Sequence, residues 1–159
     1  MGQAGVQIAQ SGDPIGQYVQ QAIEMAGLTL PVSTIYIGVN ALLTLALAVL
    51  VVRARVQTKT DIGDAGNPHM IKAQRAHANN VEYVPMALIV MASAEMAYAP
   101  VWLLHALGIG LTVGRIAHAV GLYQSTGASA GRLIGTLLTW LALLVGGLAC
   151  LYYGAGGWR

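Results

Sequence analysis

The sequence predicts an all-α integral membrane protein, a four-helix bundle of up-down-up-down topology, on three observations. The 159-residue chain is 56% hydrophobic and only 9% charged, too apolar a balance for the surface of a small soluble domain. It contains four segments long enough as helices to cross a membrane, the second of them polar in its first third, joined by polar links. Its lysines and arginines gather at one end of those stretches rather than scattering along the chain.

Three divisions follow. Residues 1–31 form an N-terminal extension, residues 32–153 the four-span domain, and residues 154–159 a tail. In the extension, Asp13-Pro14 makes an N-cap and first-turn pair, and Ile15, Val19, Ala22, Ile23 and Ala26 recur at helical spacing. That pattern predicts a short amphipathic helix, placed either on the membrane surface or against the bundle. No basic region precedes a compact apolar core, so no cleaved signal peptide is expected.

Val32 to Val52 carries no charge, and as a helix it would be roughly 31 Å long, about the thickness of the hydrocarbon layer. Arg53 to Pro68 reads as a polar loop, with Asp61, Gly63, Asp64, Gly66 and Asn67 as turn formers. The second helix is expected from Pro68 to Tyr98. Its first third is polar, its apolar run lies at Val84 to Ala94, and Pro85 is a place for a kink. The third span covers Pro100 to Tyr123 and the fourth Ala128 to Tyr153, with Gln124 to Gly127 between them. Glycines such as Gly114, Gly121, Gly131 and Gly135 suit close helix contact in lipid. The lone Cys150 lies in an apolar stretch, which excludes an internal disulfide and a zinc cluster and predicts a buried thiol.

The net charge of +2 matters less than its placement, and nothing supports nucleic-acid binding. Arg53, Arg55, Lys59, Lys72, Arg75, Arg115 and Arg132 fall on one side of the four spans, and of the eight basic residues only Arg159 falls on the other. Basic residues mark the cytoplasmic face, so both termini are expected outside the cytoplasm.

On the second helix Arg75, Asn79 and Glu82 stand at i, i+4 and i+7, and Lys72 extends the stripe backwards. Arg115 and His118 lie three apart on the third helix, and Arg132 one turn into the fourth. Outer members of this set suit an interfacial, snorkelling role. Glu82, Arg115 and His118 lie deeper, where an ionisable group needs a partner, and predict a polar pocket. Arginines clamp carboxylates and Glu82 would receive an ammonium, so the inventory fits a small zwitterion with more carboxylates than amines. A metal fits poorly, because His77 points about 160° away from the Arg75 stripe and leaves too few ligands.

The run Arg75-Ala-His-Ala-Asn79-Asn-Val-Glu82-Tyr83-Val-Pro85 resembles the second-helix signature of the MAPEG family, the membrane-associated proteins of eicosanoid and glutathione metabolism. The likeness extends from Thr34 to Tyr153 through Arg53, the Arg115-Ile-Ala-His118 segment and Arg132. It implies a homotrimer binding glutathione between subunits near the cytoplasmic face, in a bacterial inner membrane. By the same resemblance Arg75, His77, Asn79, Glu82 and Tyr83 contact glutathione, as do Arg115 and His118. Arg53 would come from the adjacent subunit, and Arg132 would stabilise the thiolate as the catalytic cation. The second substrate would be a lipophilic electrophile or hydroperoxide arriving through membrane lipid.

Three positions depart from family patterns. Leu122 stands where several members carry tyrosine, Leu133 where the prostaglandin synthase members carry serine, and Ala78 where some members carry arginine. These departures favour a broad glutathione transferase or peroxidase over a dedicated eicosanoid synthase. A non-catalytic lipid- or glutathione-binding protein of the same family is the alternative. A transporter is less consistent, since no inverted repeat or broken helix pair is evident.

The charge asymmetry makes a topological prediction. Cysteines introduced near Gly63 should be shielded from an impermeant thiol reagent in intact cells, and cysteines near Gly12 should be labelled. The opposite pattern would reverse the orientation.

Overall fold

In the computed structural model, residues 14–26, 30–125 and 127–156 are described. They form five helices: α1 (Pro14–Ala26), α2 (Pro31–Thr58), α3 (Pro68–Met96), α4 (Val101–Gln124) and α5 (Ala130–Gly156). The expected amphipathic helix is present as α1, with Ile15, Tyr18 and Val19 exposed. Its expected cap Asp13 and the lone outlying cation Arg159 lie outside the described residues.

Three of the helices, α2, α4 and α5, are long and apolar enough to cross a membrane. The fourth long helix, α3, matches them in length but carries Lys72, Arg75, Glu82 and Glu95. Both α3 and α4 pack against all three other long helices, while α2 and α5 occupy opposite flanks. Paired side chains give the directions. Tyr36 meets His105 and Asn40 meets Thr112, so α2 and α4 run the same way. Residues at the start of α2 meet Glu95 at the end of α3, so those two run oppositely.

Two boundaries differ from the sequence expectation by three residues or more. First, α2 does not stop at Val52 but continues two turns further, so Arg53 and Arg55 are helical. Those turns have a partner: Ala54 is fully buried with Met70 and Ala73 at the start of α3. The Arg55 guanidinium also donates to the carbonyls of Thr60 (3.3 Å) and Asp61 (2.9 Å), placing a cation where the helix dipole is negative. Second, α5 runs to Gly156, three residues past Tyr153.

Helix starts follow local chemistry in one case and tertiary chemistry in another. At α3, Asn67 accepts from the N–H groups of His69 (2.9 Å) and Met70 (3.4 Å), with Pro68 behind it in the first turn. At α2 the N-cap residue is Leu30, which supplies no side-chain cap. Instead, the Glu95 carboxylate accepts from the N–H groups of Val32 (2.9 Å) and Ser33 (2.7 Å), reaching across from the far end of α3. Pro85 is accommodated inside an unbroken α3, and Cys150 is half-buried with its thiol donating to the Val90 carbonyl at 3.1 Å.

The cap from Glu95 replaces a local one, and caps are worth about 0.5–2 kcal/mol. Glu95→Ala should therefore lower the thermal unfolding midpoint in detergent, and Glu95→Gln, which still accepts hydrogen bonds, should lower it less. Equal midpoints for Glu95→Ala and the parent protein would assign the contact no stabilising role.

Candidate functional site

The polar ends of α3, α4 and α5 enclose a cavity of about 380 Å³. Lys72, Arg75 and Asn79 line it from α3, His118 and Leu122 from α4, and Arg132 from α5. Three of those side chains are cations and none is a carboxylate.

Close backbone contact between α4 and α5 shapes this end. A β-carbon on Gly135 would lie 2.4 Å from the Gly114 carbonyl oxygen and 2.8 Å from the His118 nitrogen. One on Gly121 would lie 2.7 Å from the Arg132 nitrogen. Only glycine permits that approach, and it sets His118 beside the first turns of α5. Ser129 begins α5: its hydroxyl donates to the Gly121 carbonyl (3.2 Å) and accepts from the Arg132 N–H (3.4 Å). The Arg132 guanidinium donates to the Gly127 carbonyl, so the side chain is tethered to the α4–α5 link.

Behind Asn79 lies Arg115, only 1% exposed. Its Nη2 donates to Asn79 Oδ1 (2.7 Å), its Nε to Asn80 Oδ1 (3.3 Å) and its Nη1 to Thr139 Oγ1 (a long 3.5 Å). All three acceptors are neutral. The network reaches α2 as well, because Asn80 Nδ2 donates to Thr44 Oγ1 at 2.8 Å. His118 is buried too, and its Nδ1 has no hydrogen-bond partner among the described residues.

Of the site residues expected from the sequence, Arg75, Asn79, His118 and Arg132 meet at the cavity wall. Arg115 stands one layer behind it. Glu82 and Arg53 are exposed, and His77 and Tyr83 half-buried, outside this lining in the single chain. Glu82 shares the helix face of Arg75, but lies about 10 Å further along the axis, past the cavity floor at Asn79. Sequence reasoning passed over Asn80, Thr44 and Thr139. The signal was present only as isolated polar residues in apolar helices, where each needs a partner. Leu122, noted as a departure, proves to line the cavity.

A shallower groove of about 290 Å³ adjoins the cavity along α5, bounded by Leu133, Leu137 and Trp140, and it shares His118 and Arg132 with the cavity. One arginine thus borders both a cationic chamber and an apolar surface. The molecule is an integral membrane protein with a cationic chamber at one end of its helices. The chain belongs to the MAPEG family, whose pattern it matches over residues 33–152. It is also similar to the inner membrane protein YecN of Escherichia coli strain K12, with 38% identity over 122 residues, covering 77% of this chain and 92% of that protein. YecN of E. coli O6:H1 strain CFT073 matches with the same figures. No solved structure matches the chain.

The glycine contacts make a test of this architecture. Gly135→Ala would press a methyl group onto backbone atoms that cannot rotate away, and overpacking of this kind costs about 1–3 kcal/mol. Gly147→Ala, where nothing lies within 4 Å, should be nearly neutral in detergent thermal unfolding. Equal behaviour of the two variants would contradict the tight α4–α5 contact.

Proposed function

We propose that this protein is a glutathione-dependent membrane enzyme that binds glutathione as the thiolate and conjugates or reduces lipophilic substrates. One observation carries the reading: Arg75, Asn79, His118 and Arg132 share one cavity whose charged lining is wholly cationic. Glutathione brings two carboxylates, one ammonium and a thiol, and the cavity volume falls within the range of small-molecule sites. Arg132 is the thiolate-stabilising cation, because it borders both the chamber and the apolar groove where a lipophilic partner would lie. A free thiol with a pKa of about 8.5 is mostly protonated at neutral pH, so a cation at sulfur raises the reactive fraction.

In conjugation the thiolate attacks an electrophilic carbon, the C–S bond forms, and the leaving group departs with its electron pair. In peroxide reduction the thiolate attacks the terminal oxygen, the O–O bond breaks, and the departing alkoxide takes a proton from water, giving an alcohol and a glutathione sulfenic acid. A second glutathione converts that acid to disulfide and water.

The protein acts as a homotrimer of four-span subunits, α2 to α5. Support comes from α3, where Glu82 is exposed on a helix that packs among membrane-crossing neighbours. An ionisable group facing lipid is costly, so a second subunit would cover it. Such an interface would also bring Arg53, His77, Glu82 and Tyr83 to glutathione. By likeness to YecN we assign the protein to a bacterial inner membrane, and the gathering of basic residues at one end of the spans argues for both termini outside the cytoplasm. Leu122 lines the cavity wall, and since by the resemblance to the MAPEG family several members carry tyrosine there, it favours the second reading, a non-catalytic glutathione or lipid binder.

Titration of the detergent-purified protein with glutathione should produce the ultraviolet difference absorbance of a bound thiolate. Arg75→Ala should weaken binding roughly ten- to a hundredfold by calorimetry. Arg132→Leu should reduce turnover with a chlorodinitrobenzene-type electrophile far more than it weakens binding, with partial recovery as rising pH ionises the free thiol. Binding without a thiolate signal or turnover would replace the enzyme by the binder.

A further inference from the structure

The hydrogen bonds behind the cavity have a fixed direction that can be followed atom by atom. Thr44 Oγ1 donates to the Asn40 carbonyl at 2.8 Å, which uses its only hydrogen and leaves the oxygen as an acceptor. The Asn80 atom facing it at 2.8 Å must therefore be the amide nitrogen, and the Asn80 oxygen is the end that faces Arg115. On the other side, Thr139 Oγ1 donates to the Gly135 carbonyl at 2.7 Å and is likewise left as an acceptor toward Arg115. Arginine has donors only, so the Asn79 atom at 2.7 Å from Nη2 must be its oxygen.

That leaves Asn79 with one free end. Its Oδ1 is committed inward to Arg115, its Nδ2 has no acceptor among the described residues, and the side chain lines the cavity. We propose that Arg115 and Asn80 are positioning residues, and that they turn the Asn79 amide so that its NH2 group reads an acceptor oxygen of the ligand. This rests on the glutathione reading above. It gives Asn79 the same preference as the cations around it, for the carboxylate or carbonyl oxygens of glutathione and against its ammonium. It also removes Arg115 from the ligand contacts: at 1% exposure its guanidinium acts through Asn79.

The test is glutathione affinity by calorimetry on the full-length protein in detergent, with thermal unfolding as a check on folding. Asn79→Ala deletes the donor and should weaken binding about tenfold. Asn79→Asp keeps an oxygen for Arg115 but turns a carboxylate oxygen toward the ligand's acceptor, and should weaken binding at least another tenfold. An amide that accepted from the ligand would give the opposite order, because aspartate would bind the ligand's donor at least as well. For positioning, Asn80→Asp retains an acceptor for Arg115 Nε and should bind glutathione near the parental affinity, whereas Asn80→Leu should lose about tenfold. Should Asn80→Leu fail to fold, the order of the two Asn79 variants still decides. Parental protein that binds glutathione, with Asn79→Asp no weaker than Asn79→Ala or with folded Asn80→Leu unchanged, would overturn this proposal alone. Parental protein that does not bind glutathione would overturn the functional reading and this proposal together.

Discussion

The buried guanidinium of Arg115 is the interaction on which the arrangement of the long helices depends. A cation removed from water is costly unless hydrogen bonds replace its hydration, and here every replacement comes from a neutral oxygen on another helix. Asn79 and Asn80 supply two acceptors from α3, and Thr139 one from α5. Thr44 extends the network to α2 through Asn80. Rotating any one helix about its axis would strip a partner from the charge, so the polar network fixes what apolar packing leaves adjustable. Lipid-facing surfaces offer little help of that kind, because one apolar side chain replaces another there at small cost.

Glycine supplies the complementary constraint. Where Arg115 holds α3 and α5 to α4 by side chains, Gly114, Gly121, Gly131 and Gly135 let the α4 and α5 backbones touch. The two devices act at the same end of the molecule. Their joint effect is to place His118 and Arg132 on a common wall, with the carboxylate Glu95 far away at the opposite end of α3. The chamber keeps its positive character because no carboxylate lines it: Asp61 and Asp64 lie on the α2–α3 loop, and Glu82 and Glu95 further along α3.

Much of this was legible in the sequence, and the reasons are physical. Charge-free stretches of bilayer length announce helices whatever they pack against, and Pro68 announces a helix start because proline suits a first turn. The stripe of Arg75 and Asn79 followed from helical spacing, and both residues line the cavity. What the sequence hid was every feature set by contact between distant segments. The extension of α2 past Val52 depends on Ala54 finding Met70 and Ala73. The role of Asn80 depends on Arg115 reaching both adjacent amides and on Thr44 meeting the second. The exposure of Glu82 depends on where the cavity floor lies, which helical phase alone does not give.

The cap on α2 has a consequence for how the chain is made. Val32 and Ser33 are among the first residues of α2, and the carboxylate that meets their N–H groups is not synthesised until the ribosome has passed Glu95. Through that interval the emerging helix presents unmatched donors at one end, and Leu30 offers them nothing. The shortest stretch of nascent chain that closes this gap is the whole α2–α3 hairpin, with its outgoing and returning limbs together. The cap of the first limb is thus in place only once the second limb has come back to the side where the first began.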